Sequence, residues 1–228
     1  MWEFFFKDAY GILKEASEKI SQYQLLKEYK EDIERILGIL SVLKDDEESK
    51  YFQLLKNDKF VRYIILFLYF KSKIYGEKRN FDEAVIMLYR ILELISQHRL
   101  ALHEIDSNDV SSLIRERYNQ EFKAIKKEII GTESEIGKKI GLLDGWILLW
   151  CLKDEFLYKK EKDIKFLKGL KDKIEIRNLL WIEHKNKKIS EKEYEEFRYY
   201  VESWMKFIDK NLPNEVSNIE ILKFRRKD

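Results

Sequence analysis

Apolar residues recur along this chain at spacings of three and four, the repeat that gathers them on one face of an α-helix. The first stripe is Phe5, Ala9, Ile12, Leu13, Ala16 and Ile20. The second, Ile33, Ile36, Leu37, Leu40 and Leu43, runs into the acidic cluster Asp45-Asp46-Glu47-Glu48. From Tyr51 to Tyr75 the pattern predicts a long apolar helix, with Gly76 where a C-terminal glycine would stop it. Asn80 is placed to cap a helix over Phe81 to His103, and Asp106 to Asp109 marks the turn after it. Another helix is expected over Val110 to Ile130. Gly131, Gly137, Gly141 and Gly145 then loosen the chain and make 131–141 the expected flexible connector. Helices resume at Leu142–Lys159, Asp163–Asn186 and Ser190–Asn211. Ser190 and Glu193 form a capping box at the last start, Pro213 ends that helix, and Ile219 to Phe224 reads as a short extended tail. No strand-turn-strand signal or fixed repeat appears. The expected fold is an all-α, multi-helix bundle.

Composition narrows the class. The 228 residues correspond to one large domain at about 150 residues per domain. With 45% hydrophobic and 38% charged residues but one Pro and eight Gly, collagen-like, linker-like and turn-rich β architectures are excluded. The net charge of +2 provides no basic coat for duplex nucleic acid, so any such contact must be local. The longest apolar run, Tyr63 to Phe70, is far below the ~20 residues that span a bilayer, so no membrane association is expected. The start, Met1-Trp2-Glu3-Phe4-Phe5-Phe6-Lys7, has neither the basic region nor the cleavage site of a signal peptide. The single cysteine, Cys151, excludes an intrachain disulfide and, between Trp150 and Leu152, reads as an inert buried thiol. A reducing cytoplasm is the expected compartment.

Candidate chemistry is sparse. There is no glycine-rich phosphate loop, and one Cys with three His (His98, His103, His184) is poor material for a structural zinc site, so no metal or cofactor is expected. The paired acids Asp45/Asp46 and Asp106/Asp109 are explained by solvated helix ends. One constellation differs: Arg177 precedes His184 by seven positions within Ile174-Glu175-Ile176-Arg177-Asn178-Leu179-Leu180-Trp181-Ile182-Glu183-His184. At about 100° per residue the two share a helix face to within about 20°, roughly 10 Å apart along the axis. A permanent cation and a near-neutral base would then project together among apolar neighbours. On spacing alone, which is common, a structural histidine is the better explanation of the pair.

The Arg-Asn-x5-His segment, Arg177-Asn178 through His184, resembles the signature of HEPN-domain ribonucleases. A second segment, Lys78-Arg79-Asn80-Phe81-Asp82-Glu83-Ala84-Val85 through Leu88-Tyr89-Arg90-Ile91-Leu92-Glu93-Leu94-Ile95-Ser96-Gln97, is similar to the helical half of the CRISPR-associated CARF–HEPN ribonucleases of the Csm/Csx group. Ile105-Asp106 to Asp109-Val110 continues that similarity, which covers roughly residues 55–205 and leaves the first ~50 as an N-terminal helical extension. The chain has Leu180 and Lys185 where the family often carries a serine before the histidine and a glycine after it. It also has no βαβ pattern for a CARF sensor. The expectation is an effector half, natural or excised, with cyclic-oligoadenylate sensing left to a separate domain or protein.

The resemblance implies a metal-independent endoribonuclease, in which two protomers bring their Arg/His helices together around single-stranded RNA. His184 would carry acid–base transfer, Arg177 would stabilise charge on the attacked phosphate, and Asn178 would orient the groups around them. Lys185, Lys187 and Lys188 are candidate RNA-phosphate contacts, although such a run is also an ordinary solvated helix end. Tyr199, Tyr200 and Trp204 could stack bases but are the residue types of core or dimer packing. His98 and His103 read as structural. The competing readings are a catalytically silent helical interaction module and the toxin of a HEPN toxin–antitoxin pair.

Overall fold

The computed structural model describes residues 48–182 and 188–214, together with 10, 11, 14, 15, 18, 34, 37 and 41. Those eight single positions fall on the two N-terminal helices expected from periodicity, and each is helical; the expected tail at 219–224 lies outside the described residues. Every regular element among the described residues is an α-helix: α1 (Glu48–Leu55), α2 (Asp58–Glu77), α3 (Phe81–Leu102), α4 (Ser112–Ile130), α5 (Leu142–Cys151), α6 (Glu155–Lys160), α7 (Lys165–Ile182) and α8 (Glu191–Ile208). The chain is all-α, as its periodicity requires. It divides into two compact units, 1–63 and 64–228.

Within the first unit, the single helix expected from Tyr51 onward is broken. The Oδ1 atom of Asn57 accepts hydrogen bonds from the backbone N–H groups of Lys59, at 3.0 Å, and Phe60, at 3.2 Å. A short polar side chain that satisfies the first free donors of a helix starts a new one, even inside an apolar run. Tyr51 and Phe60 pack edge to face across this break, their ring centres 6.5 Å apart.

The second unit is organised on α3 and α5. Both are apolar around most of their circumference, the pattern of helices enclosed by others. α5 buries Leu142, Gly145, Trp146, Ile147, Leu148, Leu149 and Cys151. The two helices meet at Ser96 and Gly145, where a Cβ on the glycine would lie 2.3 Å from the serine Oγ. The Trp146 indole N–H donates to the Leu92 carbonyl at 3.3 Å. α4 and α7 pack on α5, α7 also packs on α3 and α4, and α8 packs on α3. The buried stripe of α8 is Tyr194, Phe197, Val201, Trp204 and Met205, and Trp204 meets Trp146 edge to face at 4.4 Å.

Three local expectations change. The helix expected over Leu142–Lys159 stops at Cys151, because Lys153 adopts a left-handed backbone (φ 54°) and Asp154 begins α6 by accepting from the Leu157 N–H at 3.0 Å. The segment 131–141 is pinned rather than loose. Val110 N–H donates to Lys138 O at 2.8 Å, Ile140 N–H to Ser107 O at 2.9 Å, and Ile136 N–H to Asn119 Oδ1 at 3.0 Å, while Ile136 and Ile140 are buried. Gly131 does close α4 in the left-handed conformation (φ 87°), but Gly76 closes nothing: α2 continues through it, and the left-handed residue that follows is Arg79 (φ 56°).

Candidate functional site

α7 starts from an Asp163 side chain that accepts from the Lys165 N–H at 2.9 Å, and it buries Leu167, Leu170 and Ile174. Arg177 and Asn178 belong to its last two turns. The helix runs antiparallel to α8: Phe166 faces Trp204 at 6.1 Å, and Lys173, seven residues on, pairs with Glu196, eight residues back, at 3.7 Å. His184, Lys185 and Lys187 lie outside the described residues, and Lys188 is exposed on irregular backbone.

Just before α8 the chain is held by a long-range contact. Ile189 is buried, and its N–H donates to Asp82 Oδ1 at 2.9 Å across 107 residues of sequence. Ser190 then caps α8. Its Oγ accepts from Glu193 N–H at 3.3 Å, and Glu193 Oε2 accepts in return from the Ser190 N–H at 2.9 Å and hydroxyl at 2.7 Å. One turn further, Tyr194 stacks on Phe81 with ring centres 5.5 Å apart, and its hydroxyl donates to Ser72 O at 3.4 Å. Gly76 serves this contact: a Cβ there would sit 2.7 to 2.8 Å from the Tyr194 ring and hydroxyl. Thus Gly76, Phe81 and Asp82, all close to or within the Arg79-Asn80-Phe81-Asp82 stretch, hold Ile189 and Tyr194 at the start of α8. Asn80 occupies the N-cap position of α3 but makes no side-chain cap bond.

The remaining candidates are spread through the bundle. His98 is buried in α3. At the end of α3, Arg99 and His103 both bind the fully buried Asp154, with His103 Nε2 2.8 Å from its Oδ2. Burial opposes ionisation of Asp154, yet the hydrogen bonds from Arg99 and His103, the Arg99 charge and the Leu157 N–H hold its carboxyl below the usual range. Trp204 is core. Tyr199 is exposed, and Tyr200 is half-buried, its phenol pushed up to about 12 by burial. Sequence reasoning named Asp82 only within the resembling segment, with no role of its own, and gave no part to Asp154; both are acids near helix starts, and what distinguishes them is a partner distant in sequence. Among the described residues no cluster of three His, Cys, Asp or Glu could hold a metal ion, and no helix is long and apolar enough to cross a membrane.

Among the described residues the chain is a strand-free helical bundle, consistent with a HEPN-like domain. Residues 54–208 match the family model of the Csm6 HEPN domain, and the chain belongs to that CRISPR-associated family. The matched region contains both the Arg79–Asp82 stretch and the Arg177/His184 segment. No curated protein matches the chain.

Proposed function

We propose that this chain is a metal-independent endoribonuclease that cleaves single-stranded RNA in CRISPR-type antiviral defence, at a composite site formed by two copies of the chain. The observation that carries this reading is its membership of the Csm6 HEPN domain family with the Arg177-Asn178-x5-His184 sequence intact inside the matched residues. In the proposed reaction the ribose 2′-hydroxyl attacks the adjacent phosphorus. His184 handles the proton leaving that hydroxyl or the one taken up by the departing 5′-oxygen, so that the products carry a 2′,3′-cyclic phosphate and a 5′-hydroxyl. Arg177 stabilises the extra negative charge on the phosphate through its planar fork, and Asn178 orients the reacting groups. Because the nucleophile belongs to the substrate, the reaction needs no metal-bound water and selects RNA over DNA. Lys185, Lys187 and Lys188 contact flanking phosphates. Residues of about 55–205 form the catalytic core, and the first ~50 are an extension to it.

Incubation of the purified chain with single-stranded RNA in EDTA tests this. Cleavage to cyclic-phosphate ends, lost in both Arg177→Ala and His184→Ala, is the expected result, together with a dimer in sedimentation. Intact RNA at high protein concentration would instead favour a silent interaction module.

A further inference from the structure

We infer that the cavity where α3 crosses the start of α5 binds a single water molecule, which does for α5 what a capping side chain does elsewhere. The cavity is lined by Glu93, Ser96 and Gln97 of α3, by Ser107 in the loop that follows, and by Gly141 and Leu142. It has room for about one water and is too small for a phosphate or a sugar.

Two features from different parts of the chain point to the same occupant. The first is the start of α5. Its N-cap is Gly141, in extended backbone (φ −85°, ψ −175°), and a glycine has no side chain with which to cap. The first backbone bond of the helix runs from the Gly145 N–H to the Gly141 carbonyl at 2.8 Å. The N–H groups of Leu142, Leu143 and Asp144 therefore have no carbonyl of their own helix to meet. Gly141 and Leu142 both line the cavity, so this end of the helix opens into it.

The second feature is a pair of serine hydroxyls. Ser96 and Ser107 are only 2% and 7% exposed, and both line the cavity. Neither hydroxyl has a hydrogen-bond partner among the described residues. Ser96 Oγ lies against the first turn of α5, 2.3 Å from where a Cβ on Gly145 would stand. A hydroxyl shielded from bulk solvent is costly unless a bound water or ligand satisfies it.

The mixture of groups selects water over an ion. A cation would suit Glu93 and the serine oxygens but would face the positive end of α5. An anion would suit the helix N–H groups but would meet the Glu93 carboxylate. Water does both jobs: it accepts from the first turn of α5 and donates to the serine oxygens. It thereby ties α3, the loop after it and the start of α5 together, beside the bond from Ile140 N–H to Ser107 O at 2.9 Å.

A crystal structure of the full chain, at a resolution that orders waters, tests this, with oxygen-17 relaxation dispersion as the measurement in solution. The expected result is one water within about 3.2 Å of Ser96 Oγ, Ser107 Oγ and an N–H of the first turn of α5. Gly141→Asn supplies the missing cap, and a Cβ at Gly141 would meet nothing within 4 Å. Its side-chain oxygen should take the helix N–H groups, displace the water and lower the count of long-lived waters by one. A dry cavity in the wild type, with both serines turned to other acceptors, would overturn the inference. So would a monatomic ion at the site, or an unchanged count of long-lived waters in a folded Gly141→Asn. If that variant does not fold, the wild-type structure decides alone.

Discussion

Arg99 grips Asp154 through two nitrogens, Nη2 at 2.7 Å and Nε at 3.2 Å, and the carboxylate it holds is fully buried. The same carboxylate takes the Leu157 N–H and lies 2.8 Å from His103 Nε2, while the Arg99 guanidinium rests on the Phe156 ring at 5.2 Å. One side chain therefore joins the end of α3 to the start of α6.

Removal of that carboxylate should be costly, because it strands a part-buried arginine and uncaps a helix. Asp154→Ala is expected to lower the unfolding free energy by about 3 kcal/mol or more, measured by denaturant titration. The pH dependence has a definite sign. The folded-state pKa of Asp154 is lowered, so its contribution is complete above the ordinary aspartate value of about 4 and is lost as pH falls through the folded value. Wild-type stability should decline on acidification below about pH 4, and the Asp154→Asn variant should show a shallower decline.

Helix approach at Ser96 and Gly145 leaves no volume for a methyl group. Gly145→Ala should destabilise by about 1–3 kcal/mol. In a Ser96→Ala background the clashing Oγ is gone, and the nearest remaining atoms would lie 3.5 and 3.7 Å from the new Cβ, ordinary contact distances. A double-mutant cycle should therefore return a favourable coupling; additive losses would show that the tight fit is not the cause.

Tyr69, Glu202 and Arg198 link α2 to α8 through a buried carboxylate. Glu202 Oε1 accepts from the Tyr69 hydroxyl and from Arg198 Nη1, the latter at 2.6 Å. Burial and the Glu202 hydrogen bond push the Tyr69 phenol well above its usual range, so it remains a donor throughout the folded pH range. Tyr69→Phe leaves Glu202 its arginine and should cost about 1–2 kcal/mol. Arg198→Leu removes the main counter-charge and should cost about 3 kcal/mol or more. The reverse order in thermal or denaturant unfolding would refute this ranking.

Cys151 offers a simple check on the core. Burial, with a smaller contribution from Glu121, pushes its thiol up to about 12. It should resist thiol reagents at pH 8 in the native protein and react at once in denaturant. Rapid native labelling would mean that α5 is not enclosed as described.

The all-helical class, the capping box at Ser190 and the family resemblance were all legible in the residues, because each is a local pattern. A stripe repeating every three or four positions, or a serine three places before a glutamate, needs no knowledge of what lies across the core. The errors share one origin. The apolar run from Tyr51 continues across Asn57 in composition, but the Asn57 side chain satisfies the next helix's donors and divides it. The glycines around 131–141 suggested looseness, although Asn119, Ser107 and Val110 bind that stretch from elsewhere. Gly76 looked like a stop and is a seat for Tyr194, 118 positions later.

What the sequence by itself determined is the helical class, most of the helices and the motif-bearing segments, since periodicity, capping and order along the chain are properties of neighbouring residues. Tertiary structure alone decided that Asp82 meets Ile189, that Asp154 meets Arg99 and that Ser96 admits nothing larger than Gly145. Each of these depends on which helix faces which and at what distance, and that is settled by the packing of the whole bundle rather than by any local stretch of chain.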